Sequence, residues 1–187
     1  MTKLQFIKLP FALFWVFLIG CSSTQAQKKE AIPNWFVCFS PKGRCTEAIT
    51  KELGQAKRLV LIHAYSLTSA PIAQALLDAH KWGVKIEIIL DKSQKTEKFS
   101  SADFLAQAGI ATKIDTAHAI AHNEVMIIDG EIVITGSFTF TKAAEEQNAE
   151  NLLIIRNRAL AEMYIKNWMD HSRHSEPYKA RMKGVPF

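Results

Sequence analysis

The chain has 187 residues, enough for one domain with a proper hydrophobic core. Its 48% hydrophobic and 22% charged residues are ordinary for a globular protein, which argues against a disordered or fibrous chain. The formal net charge of +5 is a mild basic excess that is compatible with a polyanionic substrate but does not identify one.

The first segment, residues 1–20, has the pattern of an export signal. Lys3 and Lys8 precede an apolar run that is too short to span a bilayer comfortably. The run ends in Leu-Ile-Gly before Cys21, a pattern that resembles the lipobox of bacterial lipoproteins, in which the cysteine is lipidated. We therefore expect a signal peptide, a lipid anchor at Cys21 and a domain that faces the periplasm or the cell surface. An uncleaved anchor and an ordinary signal peptide are the alternatives.

Beyond the leader, residues 21–34 are polar and predict a tether, so the folded domain is expected at residues 35–187. Hydrophobic periodicity predicts further elements in chain order. These are a strand at 35–39, a helix at 46–53, a strand at 58–65, a helix at 71–82, a strand at 84–90, a helix at 100–108, strands at 111–115, 124–129, 131–135 and 151–155, and a helix at 158–171.

The order of these elements predicts an α/β fold. The early alternation of strand, helix and strand indicates parallel strands at the centre of the sheet, and the later hairpin adds antiparallel strands beside them. We predict one mixed β-sheet flanked by helices on both faces. The sequence contains no internal repeat.

Two cysteines remain besides Cys21, namely Cys38 and Cys45. An oxidising compartment permits a disulfide between them, which we predict. A zinc site is not expected, because no second cysteine or histidine pair is found at ligand spacing.

A hairpin signal, Asp129-Gly130, separates two β-rich runs. Because strand side chains alternate between faces, a two-residue turn would place His122, Glu124, Thr135 and Ser137 on one patch. Gly136 would let a ligand approach the backbone closely. Asp129 itself is predicted to form the turn and nothing more. The predicted facing pairs are Ile128–Glu131, Met126–Val133, Glu124–Thr135 and His122–Ser137.

The same segment resembles the phospholipase D superfamily, whose motif reads H-x-K-x4-D-x6-G-S, usually with an asparagine two residues after the serine. The spacing here is intact. The resemblance extends over about residues 35–175 and is strongest to the short Nuc-type endonucleases, including membrane-associated nucleases of the NucT kind. The matching positions are His122, Glu124 in the lysine place, Asp129, Gly136, Ser137 and Thr139 in the asparagine place.

The resemblance implies a phosphodiesterase that needs no metal or other cofactor. One histidine acts as the nucleophile and forms a phosphohistidine, and a second acts as the general acid. Each chain carries one motif, so a homodimer would bring two copies of His122 to one centre. The implied substrate is DNA or RNA, preferably single-stranded.

The resemblance also assigns roles to further residues. Ser137 would bind a non-bridging phosphate oxygen, and Glu150 would hold the second nitrogen of the catalytic imidazole. Asn148 and Thr139 could add donors to the substrate. His63, at the end of a buried strand, is a candidate for the substrate wall.

Glu124 departs from the family pattern. The lysine neutralises phosphoryl oxygens in the transition state, and a carboxylate reverses that sign. At about 4 Å and an effective dielectric near 20, each charge pair is worth roughly 4 kcal/mol. We therefore expect repulsion of the substrate and strongly reduced catalysis in this chain.

Three interpretations of Glu124 follow. It is an inactivating substitution, a natural feature of a non-catalytic nucleic-acid-binding protein, or a natural feature of an enzyme with another substrate. A phospholipase D or cardiolipin-type lipid hydrolase is the main alternative to a nuclease. Such an enzyme would need an apolar funnel, and no exposed apolar loop of that kind is recognisable in the sequence after residue 22.

Overall fold

The structure, a computed structural model, describes residues 34–98 and 100–181. The predicted signal peptide, Cys21 and almost all of the tether lie outside these residues. The elements are β1 (Trp35–Phe39), α1 (Cys45–Leu53), β2 (Leu59–Ala64), α2 (Ala70–Lys81), β3 (Lys85–Asp91), α3 (Ala102–Gln107), β4 (Ala111–Asp115), β5 (Glu124–Ile128), β6 (Ile132–Gly136), α4 (Lys142–Glu146), β7 (Asn151–Arg156), α5 (Arg158–His174) and β8 (Glu176–Pro177), with a 3-10 helix at Lys92–Lys95.

The strands form one mixed sheet in the order β1-β7-β6-β5-β2-β3-β4-β8. Strands β2, β3 and β4 are mutually parallel, as expected where helices connect successive strands. The remaining pairs are antiparallel. The predicted mixed α/β sheet is thereby confirmed. Sequence periodicity missed the short elements α4 and β8, which are too brief to show a pattern.

Helices cover both faces of the sheet, as predicted. The larger core contains Ile49 of α1, Leu76 of α2 and Leu105 of α3. The other face packs against α5, whose Trp168 is buried and donates its indole N–H to the carbonyl of Ile62 at 2.8 Å. In the part of the chain that the structure describes, no helix is both long and apolar enough to cross a membrane.

A disulfide joins Cys38 on β1 to Cys45 at the start of α1, with the two Cα atoms 5.8 Å apart. Both residues are buried in the larger core. The predicted bridge is confirmed, and it ties the outer strand β1 to the helix that covers it.

The hairpin between β5 and β6 corrects the predicted register. Asp129 and Gly130 both adopt left-handed φ angles, and the Glu131 N–H donates to the Ile128 carbonyl at 3.0 Å, so the tight turn forms. Glu131 is nevertheless an extra residue, since Ile128 faces Ile132. Its carbonyl accepts the Asn157 N–H instead of joining the hairpin ladder.

This one-residue shift changes which side chains share a face, because alternation has a period of two. Thr135 faces Val125 instead of Glu124. Val125 belongs to the face that α5 covers, whereas Ala64, opposite Glu124, belongs to the larger core on the other face. The predicted common patch of Glu124 and Thr135 was therefore wrong.

Asp129 forms the turn, as predicted, but it also has a second structural role. Its carboxylate accepts the backbone N–H groups of Lys57, Arg58 and Leu59 at 2.8–3.0 Å. Burial alone would raise its pKa, but these hydrogen bonds outweigh burial and lower it. The carboxylate thus fastens the hairpin turn to the entrance of β2.

Candidate functional site

The residues of the family motif other than Asp129 meet at one edge of the sheet, whereas Asp129 lies in the turn at the opposite end of β5. Strand register aligns Phe39 with Asn151, Gly136 with Leu152, and Ala64 with Glu124. The ends of β1, β6 and β2 and the starts of β7 and β5 therefore lie side by side. His122, Ser137 and Glu150 each stand within two residues of these ends, so the fold gathers them although the predicted register was shifted.

Ser137 and Glu150 form the most ordered part of this edge. The Ser137 hydroxyl donates to Glu150 Oε2 at 2.7 Å and accepts the backbone and side-chain N–H groups of Asn151 at 3.1 and 3.2 Å. Asn148 Nδ2 donates to Glu150 Oε1 at 3.1 Å. Within the described chain, the carboxylate of Glu150 is thus engaged by Ser137 and Asn148, and the expected hydrogen bond to His122 is not found.

Gly136 permits this arrangement for a reason that the sequence could not reveal. A Cβ atom at Gly136 would lie 2.2 Å from the carbonyl oxygen of Asn151, and its φ of +152° is rare for other residues. The close approach is therefore between β6 and β7, where the Asn151 carbonyl also accepts the N–H groups of Ser137 and Phe138. Phe138 is fully buried in the core, which fixes the direction of the chain after Ser137.

His122 is exposed, and the loop that presents it is held at several points. Asp91, at the end of β3, accepts the Ala121 N–H at 2.8 Å. The Tyr65 N–H donates to the Asn123 carbonyl at 2.7 Å, and the Tyr65 ring meets the imidazole of His122 edge-on at 4.9 Å. Burial would raise the pKa of Asp91, but backbone N–H groups of Ser93 and Ala121 outweigh it and lower that pKa. The nucleophile candidate is therefore exposed on a fixed loop.

Glu124 is placed differently from the expectation. Its side chain is only 6% exposed, and neither carboxyl oxygen has a hydrogen-bond partner among the described residues. Burial raises the pKa of Glu124 to about 9, partly offset by nearby backbone N–H groups of Ser66, Phe140 and Tyr65. The group is neutral at pH 7, so the predicted charge reversal at the site was wrong. The site still lacks the positive charge that a lysine at this position would supply.

The three residues that were expected to bind substrate have different surroundings. Asn148 is exposed at the edge, as described above. Thr139 is half-buried and its hydroxyl pairs with that of Thr141 at 3.2 Å. His63 is only 2% exposed and packs against the ring of His171 at 4.6 Å, so it cannot line a substrate groove. The prediction for His63 failed because alternation along β2 directs it toward α5.

His63 also has an altered acidity. Burial, together with the neighbouring imidazole of His171, lowers the pKa of His63 to about 4, so its ring is neutral at pH 7. Its Nε2 atom has no hydrogen-bond partner among the described residues.

Beside His63 lies a group that sequence reasoning missed, the Asp115 cluster of Asp115, His118, His171 and His174. One donor atom from each residue lies within 4.8 Å of the others, so the group could hold a metal ion. Burial would raise the pKa of Asp115, but hydrogen bonds from His171, His118 and His174 outweigh burial and hold it well below its usual range. The sequence predicted no zinc site for lack of a histidine pair at ligand spacing, yet His171 and His174 stand one helical turn apart on α5.

Comparison with known proteins agrees with this fold. The family model described as "Cardiolipin synthase, PLD-like domain" matches residues 49–171. "Phospholipase D" of Rickettsia felis is 45% identical over 133 residues, which are 71% of this chain and 66% of that protein. "Mitochondrial cardiolipin hydrolase" of Chlamydomonas reinhardtii is 35% identical over 108 residues, which are 58% of this chain and 48% of that protein. This chain thus spans just under two thirds of the length of the Rickettsia felis relative.

A solved structure is similar as well. Nuc from Salmonella typhimurium, described as a phospholipase D family member, has a TM-score of 0.76 and 35% sequence identity, covering 79% of this chain and 99% of that chain. The resemblance that rested on the spacing of His122, Asp129 and Ser137 is confirmed, and so is the mixed-sheet fold. The residues around His122 therefore lie on the fold of a phosphodiesterase family, and the chain belongs to the phospholipase D superfamily.

Proposed function

We propose that this protein is a nucleic-acid phosphodiesterase that works as a homodimer around two copies of His122. The observation that carries the proposal is the exposed His122 at the same sheet edge as the Ser137–Glu150–Asn148 network. An exposed edge suits an extended polymeric substrate better than an enclosed cavity does. The sequence contains a single copy of the motif, and a two-step displacement needs two histidines.

The proposed reaction has two steps. The imidazole of one His122 attacks phosphorus, a nitrogen–phosphorus bond forms, and the ester oxygen leaves with a proton from the partner's His122. Water then attacks phosphorus, the partner's His122 takes its proton, and the nitrogen–phosphorus bond breaks. Asn148 donates one amide hydrogen to Glu150 and has a second one to donate to a phosphoryl oxygen. The single hydrogen of the Ser137 hydroxyl is donated to Glu150, so this hydroxyl binds a phosphoryl oxygen only after it rotates from the carboxylate to the substrate.

The dimer is supported by the surface beside the site. Phe39, the last residue of the outer strand β1, is 66% exposed and lies next to Asn151 in the register. Ser40 follows it and bonds to the backbone of Asn148 and Glu150. A two-fold contact at this edge would cover the apolar Phe39 and bring both copies of the site together.

Glu124 makes the present site deficient in positive charge. A buried, neutral carboxyl group does not repel phosphate, but it cannot replace a lysine that balances the developing charge. We propose that the chain is poorly active because this cation is missing. The experiments below distinguish an inactivated nuclease from a nucleic-acid-binding descendant and from an enzyme for another substrate.

The Glu124→Lys variant tests the nuclease proposal. We expect it to cleave single-stranded DNA or RNA about a hundredfold faster than the unchanged chain, the scale of restoring one electrostatic contact in a transition state. The double variant Glu124→Lys/His122→Ala is the control and should be inactive. If Glu124→Lys cleaves neither oligonucleotides nor bis-(p-nitrophenyl) phosphate, the nuclease proposal is rejected. Binding of oligonucleotides without turnover would instead support the binding protein.

A lipid hydrolase is the second candidate, and one observation favours it. Ile120, two residues before His122, is 62% exposed at the same edge as Phe39, so the site does have exposed apolar neighbours that the sequence did not reveal. Relatives named phospholipase D and cardiolipin hydrolase point the same way. Release of phosphatidic acid from cardiolipin liposomes by Glu124→Lys, without cleavage of oligonucleotides, would establish this alternative.

We also propose export and membrane anchoring through Cys21, as the leader pattern indicates. Such a position would expose the site to external nucleic acid or to the membrane surface. Metabolic labelling with a fatty acid analogue tests the anchor, and Cys21→Ser should remove the label.

A further inference from the structure

We propose that the Asp115 cluster is a binding site for one divalent transition-metal ion of the zinc type, which joins α5 to the loop carrying His122. The ligands would be the carboxylate of Asp115 and the imidazoles of His118, His171 and His174. This inference does not rest on the proposed function, because none of the four ligands takes part in the reaction proposed at His122 and Ser137.

The geometry needs little adjustment to hold an ion. Donor atoms of the four residues lie within 4.8 Å of one another. Asp115 Oδ2 lies 2.9 Å from His118 Nδ1, 3.0 Å from His171 Nδ1 and 3.3 Å from His174 Nε2. Tetrahedral zinc with bonds of about 2.0 Å requires donors roughly 3.3 Å apart. The most distant donor atoms would therefore have to approach each other by up to about 1.5 Å, which rotation of the side chains can supply.

The charges of the cluster also favour a cation. The three imidazole rings surround a single carboxylate, with ring centroids 5.0–5.3 Å apart. A cation placed among the rings would be attracted by the carboxylate and could accept lone pairs from the ring nitrogens. Imidazole nitrogens select zinc and its neighbours over magnesium or calcium, which prefer oxygen ligands.

The surroundings resemble those of a supported site. Asp115 is fully buried, and its Oδ1 atom accepts the backbone N–H groups of Ala117 and His118 at 3.1 and 3.3 Å, which orients the carboxylate. The buried ring of His63 packs against His171 and excludes water from the inner side. The side chains of His118 and His174 are 46% and 37% exposed, so an ion can enter from solvent.

The position of the Asp115 cluster in the fold indicates what a bound ion would do. His171 and His174 lie in the last turns of α5, whereas Asp115 ends β4 and His118 lies in the loop that leads to His122. Lys92 already holds this loop by donating to the His118 carbonyl at 2.9 Å. Four protein ligands leave no open position on tetrahedral zinc, which is the pattern of a structural site. The ion would thus stabilise the fold around the His122 loop.

The test uses the full chain without a histidine tag, stripped with chelator and then titrated with zinc ions alone. The comparison is with the double variant His118→Gln/His174→Gln, which changes the two exposed ligands. His80→Gln is the matched control, since His80 lies on α2, outside the cluster. Bound zinc is counted by mass spectrometry of the metal, and affinity is measured by competition with a chromophoric chelator.

We expect the unchanged chain and His80→Gln to bind one more zinc ion per chain than the double variant, with at least about tenfold higher affinity. Zinc should raise the Tm of the first two proteins and not that of the double variant. Cobalt ions in the unchanged chain should give the strong visible absorption of a tetrahedral site. Equal zinc content in all three proteins, or a cobalt spectrum without tetrahedral bands in the unchanged chain, would overturn the proposal, and this second measurement does not depend on the variant folding.

Discussion

At the scale of single residues, Glu124 shows how burial changes the meaning of a charge. The sequence identifies its position in the motif, and from that position alone a carboxylate implies repulsion of phosphate. The surroundings of the Glu124 carboxyl group are formed by backbone segments around Tyr65 and Phe140, which are distant from Glu124 in the chain. Such an environment cannot be read from periodicity, because no local pattern records which loops close over a strand end. His122 and Ser137, by contrast, are recognisable from spacing alone.

The raised pKa of Glu124 makes a prediction about stability. The folded chain keeps the proton up to about pH 9, while the unfolded chain loses it near its ordinary pKa of 4.5. Stability contributed by the protonated group is therefore fully present below pH 4.5 and declines as the pH rises toward 9, by at most about 1.4 kcal/mol for each pH unit. Glu124→Gln removes this dependence, so its advantage over the unchanged chain should grow with pH. Nearby Glu150 adds repulsion in the same direction.

Urea unfolding of both proteins near pH 5, 7 and 9 measures the effect. Glu131→Gln serves as the control, because Glu131 lies at the surface in an ion pair with Arg158. A difference between Glu124→Gln and the unchanged chain that stays constant across this range would show that Glu124 is not buried as described.

At the scale of elements, most strands and helices were predictable because their apolar periodicity is regular. The register of the β5–β6 hairpin was not. The Asp129-Gly130 signal correctly indicates a tight turn, but the fate of Glu131 depends on its bond to Asn157 at the far end of β7. A tertiary contact thus decided a register that local turn chemistry left open.

The anchoring of this turn can be tested by Asp129→Ala. Removing the carboxylate takes the acceptor from three backbone N–H groups of the β2 entrance, two of which water can reach, and we expect a loss of about 1 to 2 kcal/mol in the free energy of unfolding. Glu131→Ala, two residues along, breaks only an exposed ion pair and should cost less than about 0.5 kcal/mol. Equal effects in chemical denaturation would contradict the structural role of Asp129.

A second prediction at this scale concerns strand β1, which the disulfide joins to α1. Replacing Cys38 and Cys45 together by serine should lower the free energy of unfolding by about 2.5 kcal/mol, because the bridge closes a short loop in the unfolded chain. Cys21→Ser leaves the bridge intact and is the control. Denaturation under non-reducing conditions gives the comparison, and an unchanged midpoint in the double variant would argue against the bridge.

At the scale of the whole molecule, the fold class followed from the order of the elements, whereas the assembly state did not. The sequence supplies one motif and hence a reason for a dimer, but which surface pairs depends on exposed groups that only the fold identifies. Phe39 and Ile120 lie at the same edge of the sheet although they stand far apart in the chain. The Asp115 cluster likewise combines residues from β4, a loop and the end of α5, so no contiguous sequence motif indicates it.

The dimer is tested by sedimentation of the chain from residue 22 onward. We expect a dimer at micromolar concentration, and a monomer for Phe39→Glu, since a charge in an apolar contact is costly to bury. Trp82→Glu is the matched control, because Trp82 is equally exposed but lies at the end of α2. A monomer for the unchanged chain, or equal behaviour of both variants, would contradict the proposed contact at Phe39.

The placement of tryptophans gives the protein a set of internal optical probes. Trp168 is buried one helical turn before His171, whereas Trp35 and Trp82 are exposed at the β1 edge and at the end of α2. In the chain from residue 22 onward, which does not contain Trp15, their emission should therefore divide into a blue-shifted component from Trp168 and a red-shifted component from Trp35 and Trp82. Quenching of the blue component by copper ions, and a shift of the red component upon self-association, would allow events on α5 and on β1 to be followed separately in one cuvette.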